Sequence, residues 1–246
     1  MCDNRAVEVF LEDAVEVVVG GSAAQPFILT CEHASERLPE PWQWGDEDRW
    51  LVGTHWAYDI GAEDLARELA NALGATAILS RFSRLLADPN RDDGSMDLFL
   101  ARAEGREIAL NRNIDAEERE RRLARLWRPF HAVVDREVAR SACPVVLAIH
   151  TFTPVWHGVP REVEVGVLFD QEEELAEHTR AALAATGLVV RMNEPYSGRA
   201  GLIYSAGRHA ARHGRRALEL EVRQDLAVEA LVRAKLVGAL RGLAVS

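Results

Sequence analysis

Lysine is almost missing from this chain. Lys235 is the only one among 246 residues, and arginine carries nearly all the positive charge. Cysteine is scarce as well. Cys2, Cys31 and Cys143 form an odd, sparse set, which excludes a disulfide framework and fits a reducing, cytoplasmic setting. No apolar run approaches about 18 residues, so no segment is expected to span a membrane. Met1-Cys2-Asp3-Asn4-Arg5 is followed by no long apolar stretch, and no secretory leader is expected. A basic face is lacking too. The formal charge is -10 with acidic residues spread along the chain, which argues against a nucleic-acid partner.

What is present is apolar mass and regular punctuation. Hydrophobic residues make up 48% of the chain, enough for a substantial core. Val7 to Val19 alternates apolar and acidic residues and reads as a hairpin or edge strands. Phe27-Ile28-Leu29-Thr30 reads as a short buried strand. Ala62, Leu65, Ala66, Leu69 and Leu73 recur at helical spacing, with Gly74 as a stop. Ala75 to Leu79 follows as a strand, then a polar loop over residues 80–96. Asp115 is a plausible N-cap for a long helix that presents Leu123, Leu126, Trp127, Phe130, Val133, Val134 and Val138 on one face.

Val145-Val146-Leu147-Ala148-Ile149 is a continuous apolar run, as expected of a central strand covered on both faces. Strands over Val163–Phe169, Leu188–Arg191 and Ala217–Val222 are expected. Helices near residues 172–186 and 201–213, and a last one to about Leu240, alternate with them. Strict alternation of strand and helix predicts one domain over residues 1–246, a three-layer α/β (αβα) sandwich on a mixed, mostly parallel sheet. Ligands in such folds sit beyond the carboxyl ends of the strands. His33, Arg84, His150 and Glu221 each fall at or just past a strand end.

These four suggest metal-assisted hydrolysis. Two imidazoles and a carboxylate make a three-ligand zinc site with an open fourth position, and a separate carboxylate can move a water proton. His33 and Glu36 are three residues apart at a strand-to-helix turn, and His150 ends the apolar run. Glu32 and Asp59 are rival oxygen ligands. In Ala217-Leu218-Glu219-Leu220-Glu221-Val222-Arg223 the charged residues share one face. Charges in such a strand are unfavourable to bury unpaired, so one glutamate is a candidate general base. Arg84, Asn90 and Arg91 offer a fork for a carboxylate or a developing oxyanion, and Asp88 can orient one arginine. The loop Pro195-Tyr196-Ser197-Gly198-Arg199-Ala200-Gly201 can bring Tyr196 and Arg199 over a substrate. His55, His157, His209 and His213 read as surface or supporting residues.

Taken in order, six segments resemble the N-formylglutamate amidohydrolase family. They are Cys31-Glu32-His33-Ala34-Ser35, Asp59-Ile60-Gly61-Ala62, Ser83-Arg84-Leu85 through Asp88-Pro89-Asn90-Arg91, His150-Thr151-Phe152-Thr153-Pro154, Pro195-Tyr196-Ser197-Gly198, and Glu219-Leu220-Glu221-Val222-Arg223-Gln224-Asp225-Leu226. The family looks related to the zinc carboxypeptidases and aspartoacylase. The resemblance implies a phosphorylase/hydrolase-like fold and one zinc ion on His33, Glu36 and His150. It implies Glu221 and Arg84 in catalysis, and Asn90, Arg91, Tyr196 and Arg199 against a small N-acyl amino acid such as N-formyl-L-glutamate. Where the family's motif carries asparagine at the position of Glu36, the oxygen ligand becomes Glu32 or Asp59.

Overall fold

The computed structural model describes residues 13–20 and 26–243. Its strands in chain order are β1 (Val15–Val18), β2 (Phe27–Cys31), β3 (Ala77–Ser80), β4 (Arg102–Ala103), β5 (Arg106–Glu107), β6 (Val145–Phe152), β7 (Val155–Trp156), β8 (Val159–Pro160), β9 (Val165–Leu168), β10 (Val190–Met192) and β11 (Arg216–Arg223). Seven of them form one sheet in the order β1-β3-β2-β6-β11-β9-β10. β1 runs antiparallel to β3 and β9 antiparallel to β11, while the other neighbours are parallel. β4–β5 and β7–β8 are two-residue ribbons outside it. The expected mixed, mostly parallel sheet is therefore observed.

The period of two sorts side chains to two cores. Leu147, Ile149, Leu218 and Leu220 meet helices α1 (Ala62–Leu73), α4 (Glu173–Ala184) and α6 (Ala230–Arg241) through Leu65, Leu69, Leu175, Leu183, Leu236 and Leu240. Val146, Ala148 and Ala217 meet α3 (Arg128–Arg140) and α5 (Tyr204–Arg212) through Phe130, Val133, Val134, Ala206 and Ala210. Three layers result. Each fully buried leucine contributes roughly 1.5–3 kcal/mol relative to exposure. Every residue of β6 is buried, as its unbroken apolar run requires. Among the described residues no helix is long and apolar enough to cross a membrane.

The predicted helix signals hold. Gly74 ends α1 in the left-handed region at φ 64°. Asp115 caps α2 (Ala116–Arg122), accepting from the Glu118 N–H at 2.8 Å. The helix runs on through a wider turn at Leu123–Trp127 into α3. Pro129 gives the physical reason, because its ring has no N–H and crowds the carbonyl four residues earlier.

Two segments differ from expectation. Only Val15–Val18 of the alternating N-terminal stretch is seen as an edge strand; residues 7–12 lie outside the described residues. The 80–96 loop reads as polar, yet Phe82, Leu85, Leu86 and Ala87 are fully buried and Asp88 and Asn90 nearly so. It is a structured floor beneath the strand ends, stitched by Ser83 N–H to Arg37 O and Asp88 N–H to Leu98 O.

Candidate active site

The carboxyl ends of β2, β6 and β11 converge, and register decides what they present. Glu221 pairs with His150 and Glu219 with Ala148, so His150, Glu219 and Glu221 share the face of Val146 and Ala148. His33 follows β2 by two residues. Asp59 arrives from the loop before α1, its N–H bonded to the His33 carbonyl at 2.9 Å. The chain then turns at Gly61, φ 85°, where a Cβ would sit 3.0 Å from Ala227 Cβ and 3.1 Å from its backbone. A glycine there lets α1 start without pushing Asp59 out of place.

The two imidazoles stand edge to face, 4.7 Å between centroids. Both turn Nδ1 toward Asp59 Oδ2, at 3.4 Å for His33 and 2.9 Å for His150. Their other nitrogens are held by carboxylates: His33 Nε2 lies 2.7 Å from Asp88 Oδ1, and His150 Nε2 lies 3.1 Å from Glu32 Oε2. This is the arrangement that fixes the tautomer and aim of metal-binding histidines. His33, Asp59 and His150 thus form a buried group of three that could hold a metal ion. His150, Glu219 and Glu221 form a second such group that shares the imidazole. The first fits a divalent ion better, because it supplies two nitrogens already aimed by carboxylates.

Electrostatics supports a cation. Asp59, Asp88 and Glu221 are buried near the guanidinium of Arg84, and Glu32 and Glu219 are buried beside His150. Arg84 donates to Asp88 Oδ2 at 2.6 Å and lies 3.6 Å from Asp59 Oδ1. Burial alone would raise Asp59, but the charge of His33 and the hydrogen bond from His150 hold it well below the usual carboxylate range. Burial likewise opposes ionisation of Glu32, and the hydrogen bond and charge of His150 bring it down to about 2. Burial lowers His150, but the charge of Glu219 and bonds to Asp59 and Glu32 raise it well above an ordinary histidine. Glu219 is pushed up to about 7 by burial, against the pull of His150. Glu221 is driven far above the normal range by burial and then by Glu219. Oxygen atoms of Glu32 and Glu221 are buried with no hydrogen-bond partner. Glu221 belongs to the second metal-capable group, where an unpartnered carboxylate oxygen suits a cation.

Of the residues expected from sequence, His33, Arg84, Asn90, Arg91, His150, Tyr196 and Glu221 line one cavity of about 300 Å³. Glu36 does not join them. Its carboxylate accepts from the Gly53 N–H, and residues 34–39 run as irregular loop, so the three-residue spacing brings no convergence with His33. Asp59, named only as a rival, stands in that place. Arg199 is also elsewhere, paired with Glu173 at 2.9 Å and stacked over Phe169. Asn90 lines the cavity with its amide already engaged: Nδ2 donates to Leu202 O at 3.0 Å, and Oδ1 accepts from Ser205 N–H. Its role is therefore partly architectural. Tyr196 is held by the Gly198 turn, where a Cβ would sit 2.5 Å from the Phe169 backbone.

Sequence reasoning missed part of the cavity's lining, which His55, Trp56, Trp156 and Gln224 supply. Residues 56 and 156 lie too far apart in sequence for any spacing rule to join them. His209 was expected at the surface or in support; it is 2% exposed and pairs with His131, 2.9 Å between His131 Nδ1 and His209 Nε2.

Known proteins agree with this architecture. A curated N-formylglutamate deformylase of Pseudomonas putida is 30% identical over 127 residues, 47% of this chain and 46% of that protein, so the match spans about half of its length. A solved gene product of Agrobacterium tumefaciens is 35% identical, with a TM-score of 0.83 over 93% of this chain and 92% of that one. The N-formylglutamate amidohydrolase structure of Ralstonia eutropha shares the fold, at 18% identity and a TM-score of 0.69 over 93% and 96%. The family model for N-formylglutamate amidohydrolase matches residues 25–228. The chain belongs to the N-formylglutamate amidohydrolase family.

Proposed function

We propose that this protein hydrolyses the N-formyl amide of an amino acid, releasing formate, with one zinc ion held by His33, Asp59 and His150. The observation that carries the reading is the pair of Nδ1 atoms facing Asp59 Oδ2, with both Nε2 atoms fixed by Asp88 and Glu32. When bound, zinc supplies a Lewis acid and acidifies water, and its charge draws the surrounding carboxyls back toward ionisation. Glu221 takes a proton from the attacking water and hands it to the leaving amine nitrogen. Arg84, its fork fixed by Asp88, faces the carbonyl oxygen as negative charge develops, a contribution of about 3–4 kcal/mol for a well-placed donor. Arg91 takes the α-carboxylate, and Tyr196 packs on the substrate. Asn90 positions the loop that carries Arg91.

The test is formate release from N-formyl-L-glutamate and related N-formyl amino acids by zinc-loaded protein, beside a chelated sample. Release that is lost on chelation and restored by zinc supports the reading. Stoichiometric zinc with no formate from any of them overturns the activity and leaves a metal-binding protein. That non-catalytic alternative has no separate structural observation in its favour.

A further inference from the structure

Buried side-chain atoms without a hydrogen-bond partner fall into two kinds around this cavity. Glu221 Oε2 is an acceptor and belongs with the metal-capable residues. Thr153 Oγ1 and Gln224 Nε2 are able to donate, and His55 Nε2 donates in one of its two tautomers. A cation satisfies the first kind. An anion satisfies the second.

A fixed positive charge stands beside Thr153. The Arg161 guanidinium lies 5.3 Å from the ring centres of Phe152, Trp156 and Tyr196, and all three rings line the cavity. The Arg161 backbone is pinned: its N–H donates to the Pro154 carbonyl at 2.9 Å, and its carbonyl accepts from Arg223 at 2.9 Å. The side chain makes only long contacts, to the Thr153 carbonyl at 3.4 Å and to the Tyr196 hydroxyl at 3.4 Å and 3.5 Å. Arg84 and Arg223, by contrast, are paired with Asp88 at 2.6 Å and Asp225 at 2.8 Å. Among the described residues Arg161 has no carboxylate within ion-pair distance. Aromatic rings attract a guanidinium without neutralising it, so its fork keeps the capacity to take a carboxylate.

Arg91, which lines the cavity, has no carboxylate partner among the described residues either; it donates to the Asn90 carbonyl at 2.9 Å. The two arginines differ in what their charges reach. Asp88 is held well below the usual carboxylate range, against burial, by Arg84, His33 and then Arg91. Burial raises Tyr196 and lowers His55, and the charge of Arg161 acts on both. The α-carboxylate of an N-acyl amino acid is one carbon from the amide nitrogen, so it belongs beside the hydrolytic residues, with Arg91. A carboxylate at the end of the side chain lies several bonds away and falls to the aromatic wall.

We propose that Arg161 is the specificity-determining residue of this site: it takes the side-chain carboxylate of a dicarboxylic N-formyl amino acid while Arg91 takes the α-carboxylate. This rests on the deformylase reading above. The rings of Phe152, Trp156 and Tyr196 hold the guanidinium in place, and the Thr153 hydroxyl adds a donor to the same carboxylate. A cavity of about 300 Å³ has room for such a substrate.

The test compares N-formyl-L-glutamate with N-formyl-L-glutamine, which has the same shape and lacks the second charge. Zinc-loaded protein is assayed for kcat and KM, and the zinc-loaded Glu221→Gln variant is titrated by tryptophan emission for Kd. The expected result is a preference of about ten-fold or more for the glutamate compound in both, because a site built to pair a charged group rejects the analogue without it. Arg161→Met keeps bulk against the rings. It should remove that preference through a higher KM for the glutamate compound, with the glutamine compound changed by less than about three-fold, and Arg161→Lys should restore part of it. Equal handling of the two compounds by wild type, an unchanged ratio in Arg161→Met, an equal loss of both compounds there, or no binding of either would overturn the assignment. Should Arg161→Met not fold, the wild-type ratio and its reduction in Arg161→Lys decide the matter. Absence of formate with the binding preference intact would overturn the deformylase reading and leave the role of Arg161 standing.

Discussion

The two faces of β6 and β11 begin alike and end differently. On one face Val145, Leu147, Ile149, Leu218, Leu220 and Val222 are apolar to the last residue. On the other, Val146, Ala148 and Ala217 give way to His150, Glu219 and Glu221. The backbone and register are common to both, so the contrast lies in alternate side chains over the last five residues of β11 and the last three of β6. A single strand thus anchors a core and arms a cavity without any change of path. The trade is electrostatic: one face is held by hydrophobic burial, the other by a balance of carboxylates against imidazoles and Arg84.

Substitutions on the two faces should therefore fail in different ways. His150→Ala should lower bound zinc from about one per chain to near none and cut turnover by about a thousand-fold or more, measured by metal analysis and formate release. Glu221→Gln should reduce turnover by about 10²–10⁴-fold with zinc retained; a fully active variant would remove Glu221 from proton transfer. One residue away on the opposite face, Leu220→Ala should cost about 2–5 kcal/mol in urea unfolding while the folded fraction keeps its zinc. Zinc loss without destabilisation would break the division between the faces.

A fourth prediction concerns α3 and α5, beneath the cavity. Burial, followed by the charges of His209 and Arg208, pushes His131 down to about 3. The folded protein then binds fewer protons than the unfolded chain between pH 6.5 and 3. Stability from this site is complete above pH 6.5 and is lost as pH falls through that window. Between pH 6.5 and 5 the loss is about 2 kcal/mol, and the difference in unfolding free energy between wild type and His131→Phe should flatten it. The smallest effect is expected at Glu36. Glu36→Gln should retain zinc and lose no more than about 1 kcal/mol, since among the described residues its carboxylate accepts from the Gly53 N–H, away from the cavity. Loss of zinc there would return Glu36 to the ligand set.

What sequence made visible follows from periodicity. The helix face from Leu123 to Val138, the Asp115 cap and the buried run of β6 were all legible because each depends on neighbours one to four residues away. The face shared by Glu219 and Glu221 was legible for the same reason. Glu36 misled because a three-residue spacing converges only where the backbone turns helically, and residues 34–39 do not. Asp59 was visible as a carboxylate before a glycine, but its approach to His33 depends on a backbone bond across 26 residues. Arg199 was legible as a cation on a glycine-rich loop, whereas its direction, toward Glu173, was set by α4. The 80–96 loop looked solvent-facing from its polar letters. Asp88 instead turns inward, to His33 and Arg84, while Asp92 and Asp93 stay exposed.

The two unpartnered carboxylate oxygens, on Glu32 and Glu221, bear on the life of the molecule in a cell. A ligand bound only by the folded state lowers the open fraction, so a chain that takes a cation there would spend more time open without it, and proteases act on open chains. On the zinc reading proposed above, zinc supply would then govern how long each copy survives as well as how fast it works. In metal-starved cells the protein's half-life should shorten, and its abundance should follow the zinc available to newly made chains.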